Sequence, residues 1–273
     1  MMEPTVAVVD KNSLKKGLNL IDGSDSLNSE NSYLTIKVGI YNPDTKMCTT
    51  VNTLNSIISS FDKAISIRVA ESDSGAGPGL KRLEIWKDCY NDRVNPFNLS
   101  DDEDTRIVEV AEEDVPLSHI LFKPNLFIST HVPRRFTEAG DDDFLNMGSI
   151  IKNLLGLIPD TKKYRFHKKL PTALLDMYEA IGGIDLAVLD ATHVFLGRRN
   201  KRMTVSPGLL IIGKDAFAVE AVGAHLVGFN PMEMPVLQEA RKRGLGEIDI
   251  DKIRLIGEID PYKDMISRAF IEM

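Results

Sequence analysis

An α/β fold with a mixed, largely parallel sheet flanked by helices is what the sequence predicts, on three grounds. Short β-branched runs alternate with helical patterns along the chain, the order that lays helices over strands running the same way. The 273 residues, 43% hydrophobic and 27% charged, suffice to bury a real core. No internal repeat or heptad pattern suggests a solenoid or a coiled coil instead.

Taken in order, "TVAVVD" (5–10) reads as the first strand, followed by a helix near 13–21 and the polar connector "DGSDSLNSENS" (22–32). "YLTIKVGI" (33–40) and "AISIRVA" (64–70) are strands on either side of a helix near 50–60. A glycine-rich loop, "ESDSGAGPGL" (71–80), leads into a helix near 80–90, and "NPFNLSDDEDT" (95–105) reads as an acidic, turn-rich loop. The strands "RIVEVA" (106–111) and "NLFIST" (125–130) follow. A short helix over 147–156 is expected to end at Gly156 and Pro159, with another helix near 171–181. The second half adds the strands "IDLAVLD" (184–190), "GLLIIG" (208–213) and "KIRLIGE" (252–258), with helices near 215–227 and 233–243. No linker marks a boundary, so residues 1–273 are read as a single α/β domain, with 131–148 the place for any subdivision.

Composition narrows the function classes. A net charge of −7 argues against broad nucleic-acid binding, which needs a basic face for the phosphates. Two cysteines, Cys48 and Cys89, without CxxC spacing cannot supply an iron–sulfur cluster or a four-cysteine zinc site from this chain alone. Their scarcity suggests a reducing, cytoplasmic setting without a disulfide. The start "MMEPTVAVVD" lacks the features of a signal peptide. The most apolar window, "GLLIIGKDAFAVEAVGAHLVGF", is broken by Lys214, Asp215 and Glu220, so no membrane span is expected. No HExxH, GxSxG or Cys–His pattern supports zinc-protease or serine-hydrolase chemistry.

The most distinctive stretch is "IIKNLLGLIPDTKKYRFHKK" (150–169), strongly basic in an acidic chain. Lys152, Asn153, Lys162, Lys163 and His167 are candidate ligands for a phosphate or carboxylate, since clustered ammonium groups and an imidazole supply charge-assisted donors. The alternative is a solvated charged face. The glycine loop at 71–80 has its glycines at 75, 77 and 79, which matches neither the dinucleotide fingerprint nor the P-loop. It is either a plain turn or a ligand or metal contact, and Glu71 and Asp73 would repel a phosphate unless a metal intervened.

Three carboxylates are the remaining candidates. Asp190 ends a predicted strand, at the edge where α/β sheets place ligands, although a strand-end Asp also serves turns. Asp215 stands where it can cap a helix. Glu220 lies in a helix apolar on nearly every side, where a carboxylate needs a cation, a metal or a donor. His193 follows Asp190, and "LGRRNKRM" (196–203) is a second basic stretch. His119 and His225 sit in apolar settings, and His131 precedes "VPRRFTEAGDDD", which carries both signs of charge.

Together, "IKNLLGLIPDTKKYRFHK", "DLAVLDA", "GLLIIGKDAFAVEAVGAHLVGFNP" and "EARKRGLGEIDIDKIRLIGE" resemble the domain of unknown function 362 family, an α/β family without an established general activity. "TVAVVD", "IKVGIYNP" and "ISIRVAESDSG" resemble its N-terminal strands more loosely. The family's Lys-x-Lys-Thr-His segment is replaced by "STHVPRRF", its Glu-Gly-x-Gly-Pro loop by "THVFLGRRNKRM", and its usual helix Asp by Glu220. Some relatives carry ferredoxin-type cluster domains, for which the two cysteines of this chain are not a sufficient set.

The expectation is a protein that binds or acts on a small phosphorylated or carboxylate molecule. Lys152, Asn153, Lys162, Lys163 and His167 would hold it. Asp190 and Glu220 would handle protons, and Asp190, Asp215 and Glu220 would bind a divalent metal. The competing expectation is a non-catalytic accessory protein docking on a redox or metal-handling partner. A deep pocket joining the basic loop to the carboxylates favours the first, and a flat basic surface with those carboxylates paired internally favours the second.

Overall fold

The computed structural model describes residues 3–30, 32–137, 147–198 and 201–273. The chain opens with β1 (Thr5–Asp10), α1 (Leu14–Leu20), α2 (Ser24–Leu27) and β2 (Tyr33–Val38). It continues through α3 (Val51–Ser60), β3 (Ser66–Glu71), α4 (Gly79–Leu83) and β4 (Val94–Asn98). A ribbon of β5 (Thr105–Val110) and β6 (Glu113–Ser118) precedes β7 (Leu126–His131), β8 (Arg134–Thr137) and β9 (Met147–Gly148). Then come α5 (Leu170–Ala180), β10 (Leu186–Ala191), β11 (Val194–Arg198), β12 (Lys201–Val205) and β13 (Leu209–Gly213). The last elements are α6 (Ala216–Leu226), α7 (Pro235–Arg243), β14 (Arg254–Ile256) and α8 (Asp260–Ile271).

Eight strands form the main sheet in the order β14-β1-β13-β10-β7-β2-β3-β4. β13 is antiparallel to both of its neighbours, and every other pairing is parallel, so the predicted mixed, largely parallel α/β sheet is present. Alternate side chains enter two cores, as a two-residue period requires when both faces are covered. Val6, Leu189 and Ile211 join the core shared with α5, α6 and α7, while Val9, Val188 and Ile212 join the one shared with α1 and α3.

Helix ends follow local chemistry. Thr50 caps α3 by accepting from the Thr53 amide at 3.2 Å. Asp215 caps α6 through the amides of Phe217 and Ala218, and Gly244 ends α7 in the left-handed conformation. α6 is buried on almost every side, which is why its sequence is apolar all round.

Four sequence expectations change. The helix over 147–156 is instead the short strand β9 followed by a 3-10 turn at Lys152–Leu157, because the Asn153 side chain bonds to neighbouring strands. The loop expected at 95–105 begins inside the edge strand β4, whose position tolerates Pro96. "RIVEVA" is a strand, but it pairs with β6 in a separate ribbon rather than within the main sheet. "THVFLGRRNKRM" contributes β11 and β12 to a second sheet, ordered β12-β11-β8-β9. Any subdivision near 131–148 falls largely on 138–146, outside the described residues. Among the described residues, no helix is long and apolar enough to cross a membrane.

Candidate functional site

The carboxyl ends of β2, β3 and β7 converge on one open cleft of about 450 Å³. Past β2 lie Ile40 and Tyr41; β3 ends in Glu71 and β7 in His131, and all four line it. β8 continues from β7 beyond the edge of the main sheet, pairs with β11, and brings Arg134 and Phe136 to the wall. The opposite wall is the basic segment, whose two 3-10 turns, Lys152–Leu157 and Lys163–Lys169, contribute Lys152, Asn153, Gly156, Lys163, Tyr164 and His167. This is the edge where open α/β sheets hold ligands.

Beneath the floor sits a buried charge network. The Lys37 ammonium donates to the Val38 carbonyl at 2.9 Å and to Asn153 Oδ1 at 3.0 Å, and pairs with Glu71 at 3.0 Å. Arg82 meets the same carboxylate at 3.5 Å and donates to the Ile40 carbonyl at 2.7 Å. Lys37 is fully buried, and desolvation lowers its pKa despite the opposing attraction of Glu71. Gly156 lets the turn approach closely: a Cβ there would lie 2.6 Å from the Lys37 nitrogen and would have to displace this buried ammonium. Asn153 locks the turn to the sheet by donating to the carbonyls of Lys37 (3.0 Å) and Thr130 (3.3 Å).

Above this floor stand Lys163, Lys152 and Arg134. Lys163 donates to the Ser72 hydroxyl, and burial holds its pKa down at about 8. Lys152 is also lowered to about 8, first by burial and then by repulsion from Arg134, with Glu220 opposing. Arg134 packs against Gly148 and forms no ion pair with a described residue. The Val132 amide donates to Nδ1 of His131 at 2.7 Å, which places the proton of the neutral ring on Nε2. Burial and the charges of Arg134, Lys37 and Lys152 keep that ring neutral well below its ordinary pKa. His167 stands at the rim, its pKa lowered by desolvation and by Lys152.

Of the predicted ligand set, Lys152, Asn153, Lys163 and His167 therefore share the cleft, although Asn153 is occupied in holding Lys37 and the strands. Lys162 is exposed outside the lining, its amide turned to Asp160 at 2.7 Å. The glycine loop contributes Ser74 and Gly75 to the cleft, while Asp73 is spent accepting from the Gly79 amide and from Asn98. The repulsion expected from Glu71 is answered by Lys37 and Arg82.

The three carboxylates do not meet. Asp190 is buried at the carboxyl edge, accepting from the amides of Thr50 (2.7 Å) and Thr192 (3.1 Å). Asp215 lies past the far end of β13, whose Leu210 pairs with Asp190, so a strand of roughly 15 Å separates them. Besides capping α6, it accepts from the Glu247 amide at 3.0 Å. Glu220 faces the start of the basic segment, where the Ile151 amide donates to it at 3.2 Å. Burial raises its pKa to about 7, against the pull of Ser149, the local amides and Lys152. It shares with Lys152 a separate cavity of about 30 Å³, room for roughly a water or two. Among the described residues, no group of three or more His, Cys, Asp or Glu side chains is placed to hold a metal ion.

Sequence reading missed Lys37, Arg82, His131 and Arg134 as site residues. Lys37 carried a usable signal, a lysine within the otherwise apolar strand "LTIKV". Arg134 carried none beyond its charged neighbours, because only the pairing of β8 with β11 directs it to the cleft.

The fold and this cleft define a class: an α/β protein with a cation-rich cleft at the carboxyl edge of its sheet. Residues 34–225 match the family model described as Domain of unknown function (DUF362). That span exceeds half of the chain and includes every cleft residue from Ile40 to His167, and the chain belongs to this family. No curated protein matches the chain.

Proposed function

We propose that the cleft binds, or acts on, a small anionic molecule carrying a phosphate or carboxylate group. The observation that carries this reading is the convergence of Arg134, Lys152 and Lys163 on one concave site whose Glu71 is already paired with buried cations. An anion there gains charge-assisted hydrogen bonds in a partly desolvated setting, where they are roughly twice as strong as neutral ones. The concavity favours a small ligand over the flat basic face a docking protein would use, although Asp190 and Asp215 are satisfied internally. A divalent metal is not needed in this reading, since the cations of the chain suffice. Two free thiols, Cys48 and Cys89, are in keeping with a reducing cytoplasmic setting.

Thermal unfolding with inorganic phosphate and with citrate tests the proposal. Either anion should raise Tm by mass action, and the combined Arg134→Gln and Lys163→Met variant should abolish the rise while remaining folded without anion. An equal rise in wild type and variant would remove the cleft from the explanation.

A further inference from the structure

The cleft is graded from a charged floor to an aromatic mouth. Glu71, Arg82, His131 and Asn153 are almost completely buried, whereas Tyr41 is 56% and Tyr164 70% exposed. A single exposed tyrosine needs no explanation. Here two stand on the same mouth, carried by independent segments, the loop after β2 and the 3-10 turn that also holds Lys163. Volume points the same way. About 450 Å³ lies within the range of roughly 300–1,000 Å³ typical of sites for whole small molecules, so an inorganic anion fills only part of it.

We propose that the ligand is a phosphate monoester with an aromatic body, its phosphoryl group held by Arg134, Lys152 and Lys163 and its ring stacked at the mouth on Tyr41 and Tyr164. This rests on the anion-binding reading above and names its ligand class. A dianionic head suits three convergent cations better than a single carboxylate does, and the phenol rings offer flat apolar faces with a polar tip toward water.

The experiment compares phenyl phosphate with cyclohexyl phosphate, matched in size and charge, by calorimetric titration of the full chain, with inorganic phosphate and citrate as reference probes. Phenyl phosphate should bind roughly three- to tenfold more tightly than cyclohexyl phosphate, the range expected for aromatic pairing. The combined Tyr41→Ala and Tyr164→Ala variant, altered at exposed positions, should lose that preference and keep its affinity for inorganic phosphate. Equal binding of the two esters overturns the aromatic assignment while leaving anion binding intact. A preference that survives in the double variant overturns the placement at the mouth. Binding of citrate with no binding of either ester overturns the monoester class alone. Binding of none of the four probes overturns both this inference and the reading beneath it.

Discussion

Two groups of cations meet at the carboxyl edge of the sheet, and their surroundings divide their roles. Lys37 lies beneath the floor and Arg82 within it, both buried and tied to Glu71, Asn153 and backbone carbonyls at the strand ends. Lys152, Lys163 and Arg134 line the cleft above, with Lys152 and Lys163 lowered to about 8 by burial. Desolvation acts on both groups. In the first, a carboxylate compensates for it, so the cations serve the architecture. In the second, burial lowers both lysines, and Lys163 donates to the Ser72 hydroxyl. A charged residue near a strand end is therefore assigned to structure or to site by where its counter-charge comes from.

Removing the counter-charge of the lower group should have the largest effect. Glu71→Gln leaves the Lys37 ammonium buried without its carboxylate and should cost about 3–5 kcal/mol in urea unfolding. Lys37→Met added to that background should recover part of the loss. A loss below about 1 kcal/mol would erase the distinction between the groups.

Glu220, behind Lys152, sharpens the contrast, because it meets amides and a hydroxyl where Glu71 meets cations. Its folded pKa of about 7 exceeds the ordinary value of 4.5, so the native state keeps this proton longer than the unfolded chain does. The stability it contributes is complete below about pH 4.5 and is lost as pH rises to about 7, by on the order of 2–3 kcal/mol. Glu220→Gln should remove that portion of the pH dependence, as read from urea midpoints across pH 4–8. Parallel profiles for wild type and variant would contradict it.

The upper group should declare itself in binding rather than in stability. As pH rises through about 8, Lys152 and Lys163 lose their protons, and affinity for inorganic phosphate should fall by roughly tenfold per lysine, about a hundredfold for both, between pH 7 and 9. A flat calorimetric profile over that interval would separate these lysines from anion binding.

The smallest effects belong to the part of the basic segment that faces away. Lys162→Ala and Lys168→Ala change exposed side chains outside the cleft lining and should alter stability by less than about 0.5 kcal/mol, with phosphate affinity unchanged. A loss of affinity comparable to that of Lys163→Met would extend the site onto this surface.

Within residues 150–169, composition marked the region and could not sort its members. Arg165 is drawn into pairs with Asp160 and Glu113, Lys169 pairs with Glu112, and Lys163 turns inward to Ser72. The partners Glu112 and Glu113 come from the turn of the β5–β6 ribbon, remote in sequence. The helix expected over 147–156 failed for a similar reason: the donors on Asn153 find strand carbonyls more than twenty residues away.

The α/β alternation of the main elements, the largely parallel character of the sheet and the family resemblance were legible in the sequence itself. They rest on local periodicity, on caps such as Thr50 and Asp215, and on runs long enough to cover both faces of a sheet. The membership of the cleft was decided only by tertiary structure. Pairing β8 with β11 delivers Arg134, packing Gly156 against Lys37 seats the basic turn, and the length of β13 holds Asp190 and Asp215 apart. The physical reason is that a charge acts through its surroundings: burial and counter-charge set its role, and both are supplied by residues that only the folded chain brings near.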